Sequence, residues 1–278
     1  MTMVRVDLHL HSTCSDGIYS PAEVVRRAAE AGMTAVSLTD HDNVDGIDEA
    51  QEEGKKIGLT VLSGVELSSL WESYQDIHLL GYGFDHHNPV LLSELKKFQD
   101  FRSGRNRQII ERVNEKLSDE GRAAIDPDIV QMKAGGTIGR PHIAQALKEA
   151  GYVDGNDDAF ERYLVPCNVP KRFFPLDQAI ELIHHCGGVA VLAHPPYITR
   201  DRFELEQLVK LFVTFKLDGI EAYNNGASLE EIDWTIRLAR KYNLIVTGGS
   251  DYHGTKGSDV EIGCGFGRLK IPFSCVEE

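Results

Sequence analysis

Residues 4–11 read Val-Arg-Val-Asp-Leu-His-Leu-His, and the alternation of that stretch decides the fold. Val4, Val6, Leu8 and Leu10 face one way, and Arg5, Asp7, His9 and His11 face the other. A period of two puts His9 and His11 on one side of a strand, near its end. A surface strand would carry Lys, Thr or Glu on its wet face rather than two histidines followed by Asp16. Similar side chains recur where later strands are predicted to end: His41, Glu66, His78, His194, and Asp251 with His253. With His9, His11 and Asp16 they make nine metal-capable groups. One histidine on a strand is ordinary structure. Nine ligand types at equivalent places in repeated strand units imply one shared mouth.

The units themselves are legible. Ser20-Pro21-Ala22-Glu23 is a capping box with Pro at the first helical position, so a helix is expected from Pro21 to Ala31, stopped by Gly32. Buried strands are expected at Thr34–Thr39, Thr60–Val65 and Asp76–Phe84, with a helix over Gly46–Ile57. After residue 172 the alternation resumes. Helices are expected at Leu176–Cys186, Glu204–Phe215 and Leu229–Tyr242, and strands at Val189–Ala193, Gly219–Tyr223 and Leu244–Thr247. Seven strands alternating with helices predict a parallel sheet covered by helices. An open doubly wound sheet gathers ligands at its switch point alone. Here six or more of the seven strands contribute, which predicts a closed, TIM-like α/β barrel. Between Pro89 and Arg172 the rhythm breaks into helical patterns at Leu91–Arg102, Asn106–Glu120, Arg140–Ala150 and Asp157–Tyr163. That stretch is too long for a loop. The expected organisation is a barrel from residues 1–88 and 173–278, interrupted by an inserted helical subdomain over 89–172 that caps the substrate.

Composition narrows the function classes. The 278 residues carry 42% hydrophobic and 26% charged side chains, an ordinary globular balance. A net charge of -14 disfavours broad binding to duplex nucleic acid, whose affinity rests on phosphate contacts. The five cysteines are odd in number and include no CxxC pair, so a reducing cytoplasm is the expected compartment. Asp7, His9 and His11 interrupt any apolar signal core, and no apolar run approaches membrane-spanning length.

Imidazoles and carboxylates together suit Zn²⁺, Mn²⁺ or Fe²⁺, with a Glu able to bridge ions. Nine ligands exceed one ion's needs, so two or three divalent ions are expected. Metal-assisted hydrolysis, of phosphate esters first, is the chemistry such a site supports.

Seven motifs follow in order: DLHLHS, SDG, TDHD, GVE, the histidine of DIHLLGYG, AHP and GSDYH. In that order they resemble the PHP (polymerase and histidinol phosphatase) family of metal-dependent phosphoesterases, over Val4 to Gly254. The resemblance implies a distorted barrel of seven strand–helix units and a trinuclear centre. It implies one ion at His9, His11, Glu66 and Asp251, a second at Glu66, His78 and His194, and a third at Asp16, His41 and His253. It implies a bridging hydroxide as nucleophile, with Asp16, Glu66, His194 and Asp40 as the expected catalytic set. Asp40 is expected to orient a neighbour rather than bind an ion. Within the family the chain is most similar to phosphatases that remove the 3′-phosphate of nucleoside 3′,5′-bisphosphates, some of which trim short RNA from its 5′ end. Asp16 in SDG fits that branch.

Arg140 and His142 at a helix start, with Lys171 and Arg172 at the end of the insertion, are the expected phosphate-holding residues. The expected partner is thus a small phosphorylated substrate, a nucleotide or a short RNA end. Histidinol phosphate is the second substrate reading. A polymerase-associated proofreading module is the third, and the filled ligand set with no polymerase domain in these residues weighs against it. Trp71 and Tyr74 are read either as base-stacking groups or as loop anchors, and His86 and His87 as surface residues in a turn.

Overall fold

The structure is a computed structural model describing residues 5–134, 139–255, 258–267 and 269–277. Val4, which opens the predicted first strand, lies outside the described residues. The chain forms two compact units, Met1–Ser93 with Phe173–Glu278, and Glu94–Arg172.

The first unit holds one sheet. Its strands are β1 (Val6–Leu10), β2 (Ala35–Leu38), β3 (Thr60–Trp71), β4 (Tyr74–Tyr82), β5 (Phe174–Pro175), β6 (Val189–Leu192), β7 (Gly219–Tyr223) and β8 (Ile245–Gly248). The order is β1-β2-β3-β4-β6-β7-β8, with the two-residue β5 added beside β3. The seven predicted strands are all present. Beyond β8 the chain turns back beside β1: Leu10 bridges Tyr252, and the His11 N–H donates to the Tyr252 carbonyl at 2.9 Å.

The expectation of an all-parallel sheet is corrected. β4 runs antiparallel to both β3 and β6, while the other main pairings are parallel. The cause is local. Trp71 pairs with Tyr74, leaving only Glu72 and Ser73 to turn the chain, and Glu72 takes φ 51°. Two residues can join only antiparallel neighbours, since a parallel return needs a crossover of a dozen or more. The reversal has a consequence for the site. Glu66 and His78 lie inside β3 and β4 rather than at strand ends, and Ser68 is the register partner of His78.

Helices α1 (Pro21–Glu30) and α2 (Ile47–Ile57) follow the first two strands. Ser20 caps α1 by accepting from the Glu23 N–H, and Gly58 closes α2 in the left-handed conformation at φ 77°. Both pack on β1 and β2 through Val24, Val25, Ala28 and Ala50 against Leu10, Val36 and Leu38. A second core joins Val6, Leu8 and Ala35 to Leu80, Val191 and Ala193. β1 is therefore buried on both faces, as an interior strand requires.

The predicted helices over Leu91–Arg102 and Asn106–Glu120 are one continuous helix, α3 (Pro89–Asp119). Gly104 sits in its interior, exposed, where glycine weakens a helix without ending it. The second unit continues through α4 (Pro127–Ala134), α5 (Arg140–Glu149) and α6 (Asn156–Ala159), which runs into a π-helical turn over Phe160–Leu164. Ile109, Ile110, Val113 and Leu117 pack there with Ile143, Leu147, Tyr163 and Leu164. The remaining described helices are α7 (Leu176–His185), a 3-10 turn over Pro195–Tyr197, α8 (Arg202–Thr214), α9 (Leu229–Tyr242) and α10 (Ser274–Glu277), all in the first unit. No described helix is long and apolar enough to cross a membrane.

Gly249 follows β8, where the chain passes β1 so closely that an added Cβ would lie 2.5 Å from the His9 nitrogen and 2.8 Å from its Cα. Gly249→Ala is expected to cost about 1–3 kcal/mol through overpacking. Gly104→Ala, with nothing within 4 Å of an added Cβ, is expected to stabilise by about 0.5–1 kcal/mol. Denaturant midpoints of the two variants check this, and an unaltered Gly249→Ala midpoint would contradict the close approach.

Candidate metal centre

His9 and His11, two residues apart on β1, point the same way and are fully buried. Between them and the other histidines lies the buried carboxylate of Glu66. Its Oε2 is 3.2 Å from His9 Nε2, 3.2 Å from His11 Nε2 and 3.0 Å from His41 Nδ1. Its Oε1 is 2.8 Å from His78 Nδ1 and 3.0 Å from His194 Nε2. Asp251 Oδ1 lies 3.2 Å from His11 Nε2 and 3.5 Å from His9 Nε2. On the open side, Asp16 Oδ1 is 3.2 Å from His253 Nε2, and Asp16 Oδ2 is 3.7 Å from His41 Nε2. All nine residues singled out in the sequence are thus brought together. His41 differs in placement from the grouping implied by the family: one nitrogen faces Glu66 and the other Asp16, so it stands between two groups.

These separations suit ions. Ligand atoms roughly 2.0–2.2 Å from one ion at tetrahedral angles stand about 3.3 Å apart. His9 Nε2, His11 Nε2 and Glu66 Oε2 are buried without a hydrogen-bond partner, although each lies close to the others. Buried polar atoms are rarely left so. Lone pairs converging on common points answer that cost when cations occupy them. The compact groups are His9, His11, Glu66 and Asp251; His11, Asp16, His41 and His253; and His41, Glu66 and His78. The donor set is nitrogen and carboxylate oxygen, and Cys14 is not in it. The residues therefore fit divalent ions of the zinc, manganese or iron kind.

Backbone strain collects at the same place. His194 has φ 26°, Asp251 φ 56° and Asp42 φ 49°. Non-glycine residues in this region are uncommon, and surrounding structure must hold them there.

A ring of buried carboxylates does so. Asp40 accepts from the Ser12 N–H at 2.8 Å and the Ser12 hydroxyl at 2.6 Å, and also from Ser15, so it fixes the loop that carries Asp16. Three further groups escaped the reading of the sequence. Glu221 of β7 lies 2.9 Å from His9 Nδ1 and accepts the His194 N–H at 2.7 Å. Asp7 accepts the Ser250 and Gly263 N–H groups at 2.9 and 2.6 Å. Asp42 accepts from the Ser68 N–H and hydroxyl at 2.8 and 2.9 Å. The available signal was a charge within a strand: Gly-Ile-Glu-Ala-Tyr has one carboxylate among small and apolar neighbours, and a buried charge requires a partner.

Burial and charge set the protonation of the ion-free site. Burial opposes the charged form of His9, His11 and His78, yet nearby carboxylates outweigh it. His9 is held well above its usual range by Glu66, Glu221 and Asp251. His11 is raised to about 10 by Asp251 and Glu66, and His78 to about 9 by Glu66 and Asp76. For His41 burial prevails, helped by the charges of His11 and His78, and its pKa falls to about 3. Burial would raise Glu66, Asp16 and Asp251, but the surrounding histidines, foremost His41 for Glu66 and Asp16 and His9 for Asp251, hold all three below the ordinary carboxylate range.

The four expected phosphate-holding residues lie in the second unit. Arg140 opens α5, and its guanidinium stands 5.4 Å from the Phe160 ring. His142 Nδ1 accepts the Gly139 N–H at 2.9 Å, so that nitrogen caps the helix. Lys171 and Arg172 are adjacent at the end of the unit, with Arg172 4.8 Å from the Phe98 ring. In the first unit, Trp71 packs on Phe212 and Phe215 and the Tyr74 hydroxyl donates to Glu204. Those contacts make both of them loop anchors.

Comparison with known proteins places this geometry in a family. The PHP domain model matches residues 7–212. A 5′-3′ exoribonuclease of Haemophilus influenzae is 35% identical over 255 residues, 90% of each chain. A 3′,5′-nucleoside bisphosphate phosphatase of Chromobacterium violaceum is 33% identical over 264 residues, 93% of this chain and 91% of that one. A solved structure from Bifidobacterium adolescentis, assigned as a metal-dependent phosphoesterase, superposes with a TM-score of 0.82 at 29% identity, covering 98% of this chain and 94% of that one. With its motifs, its clustered ligand set and these likenesses, the chain belongs to the PHP domain family.

Proposed function

We propose that the chain, a metal-dependent phosphoesterase of the PHP family, removes the 3′-phosphate of nucleoside 3′,5′-bisphosphates. The observation that carries this reading is the complete ligand set closing on Glu66, in a chain similar over nearly its whole length to a bisphosphate phosphatase. The comparable likeness to an exoribonuclease supports a second activity, trimming short RNA from the 5′ end. Both substrates present a terminal nucleotide with phosphate on either side of the sugar. Histidinol phosphate remains the alternative substrate.

In this reading the residues hold two or three divalent ions, of manganese, zinc or iron. His9, His11, Glu66 and Asp251 take one, Glu66 with His78 and His194 a second, and Asp16, His41 and His253 a third. When bound, such ions activate water as a nucleophile and polarise phosphoryl oxygens. The chain's own groups prepare the site. Glu221 accepts a proton-bearing Nδ1 of His9, which leaves the Nε2 lone pair facing inward. Glu221 also fixes the His194 backbone, and Asp40 holds the loop of Asp16. Asp16, Glu66 and His194 form the catalytic set, with Asp40 in the positioning role.

A chain of net charge -14 needs local cations for a bisphosphate, and Arg140, His142, Lys171 and Arg172 are proposed to supply them from a capping insertion. For the nucleoside, a cavity of about 690 Å³ is lined by Asn224, Asn225, Ser228, Leu229 and Phe266. That is the size range of small-molecule sites, and the Asn225 amide donates to the Ser250 carbonyl next to Asp251. The strands are read as a distorted TIM-like barrel, supported by the bridge from Tyr252 back to Leu10.

Phosphate release from adenosine 3′,5′-bisphosphate by Mn²⁺-loaded protein is expected to exceed release from histidinol phosphate and to leave 5′-AMP. His194→Ala is expected to lower it by about a hundredfold or more. Preference for histidinol phosphate would overturn the substrate assignment. Arg140→Ala is expected to raise KM about tenfold with metal content unchanged, and steady-state kinetics identical to the unmodified chain would remove Arg140 from the substrate site.

Ion loading is expected to release protons. In the ion-free protein His11 and His78, with pKa values raised to about 10 and about 9, are charged near neutral pH, and ion binding needs their neutral forms. Apparent affinity should rise with pH up to about 10, and the binding heat should vary with the buffer's ionisation enthalpy. Because these folded-state values are raised, the stability they confer without ions is complete below about pH 6.5. It is lost as pH rises through about 9 and about 10. Calorimetry showing no proton release at pH 8 would contradict this charge state.

A further inference from the structure

We propose a separate metal site in the first unit, formed by Asp48, His86 and His87, that takes a zinc-class divalent ion. Asp48 lies in the first turn of α2, and the two histidines lie in the turn between β4 and α3. None of the three belongs to the Glu66 centre. The Nε2 atoms of His86 and His87 approach the same oxygen, Asp48 Oδ1, at 2.9 and 3.4 Å. All three donor atoms lie within 4.8 Å of one another, and the imidazole rings are 4.1 Å apart. Donors sharing one tetrahedral ion at about 2.0–2.2 Å stand about 3.3 Å apart. The second ring is turned so that its Nε2 meets the same oxygen, and the three donor atoms converge on one region that an ion could share.

The turn is built to hold that arrangement. The His87 N–H donates to Asp85 Oδ1 at 3.0 Å, and the Asn88 N–H donates to the Asp85 carbonyl at 3.1 Å. The Asp85 N–H is tied in turn to the Cys186 carbonyl at 2.9 Å. Donors in a fixed turn lose less conformational freedom on binding an ion than donors on a mobile loop. The His86 side chain is 13% exposed, while those of His87 and Asp48 are 66% and 64% exposed. One ring therefore anchors the site, and the other two donors open to solvent, leaving a fourth position for water or for a donor from another molecule. Two imidazoles and one carboxylate favour zinc, nickel or copper over magnesium or calcium, which prefer oxygen alone. The ion would fasten the start of α2 to the β4–α3 turn.

Chelator-stripped full-length protein, reloaded with Zn²⁺ alone and weighed by native mass spectrometry, tests the site. The His86→Ala/His87→Ala variant is expected to hold one ion fewer than the unmodified chain. Its bisphosphate turnover with Mn²⁺ is expected to stay within twofold. His87→Ala and Asp48→Asn, changed at exposed positions, guard against misfolding and should each weaken the last Zn²⁺ by at least tenfold. Equal ion counts and equal last-ion affinities across the variants would overturn the proposal. Loss of bisphosphate turnover in the unmodified chain would bear on the proposed function and leave this site intact.

Discussion

A single buried carboxylate organises the first unit. Glu66 meets five histidine rings, three through one oxygen and two through the other. An ionised carboxylate away from water is expensive, and so is each imidazolium beside it. Neither is tolerable alone. Together Glu66 and the rings of His9, His11 and His78 hold each other charged in the ion-free protein, and divalent ions at these points would replace the protons. Every strand that supplies a donor is positioned by that mutual requirement. The strained backbones of His194 and Asp251 place their side chains in the same cluster, His194 on Glu66 and Asp251 on His9 and His11.

The antiparallel step at β4 solves a geometric problem posed by that centre. In a parallel unit, donors come from the carboxyl ends of strands, one strand per crossover. The tight Glu72-Ser73 turn instead brings Glu66 and His78 into one hairpin, two rungs apart across the ladder. Because β4 is reversed, His78 from its middle reaches the side where the chain leaves β1 and β2. Two donors thus share a rigid hairpin whose register is set by seven cross-strand pairs and by the turn. This is a closer coupling than two separate strand–helix units would give.

What the sequence reveals and what it conceals follow from that physics. The nine clustered side chains were legible because imidazoles and carboxylates recur within or just beyond apolar strands, against the pattern around them. The strand count was legible for the same reason, since apolar runs bounded by glycines and capping residues are local signals. The reversal of β4 was concealed: direction is not written in periodicity, and the Glu72-Ser73 turn lacks the Asn-Gly signal of a tight hairpin. The continuity of α3 was concealed because Gly104 reads as a break where packing on either side does not need one. Glu221, Asp7 and Asp42 were missed because their partners are backbone N–H groups and ring nitrogens distant in sequence. A carboxylate serving a ligand is indistinguishable, residue by residue, from one on a surface.

The same reasoning separates the supporting carboxylates from one another. Asp40 and Asp42 each spend both oxygens on serines, so they define loop shape. Glu221 spends one oxygen on a ring nitrogen of His9 and the other on the backbone of His194. It therefore couples two donors on opposite oxygens of Glu66, and a shift in one reaches the other through a single side chain. Asp7 joins the Ser250 and Gly263 backbones to β1, and so ties the loop of Asp251 to the strand of His9 and His11. Burial pushes Asp7 up to about 6 against the hydrogen bonds that favour its charge. That carboxylate, with the Tyr252 bridge, fastens the loop on which Asp251 stands to β1.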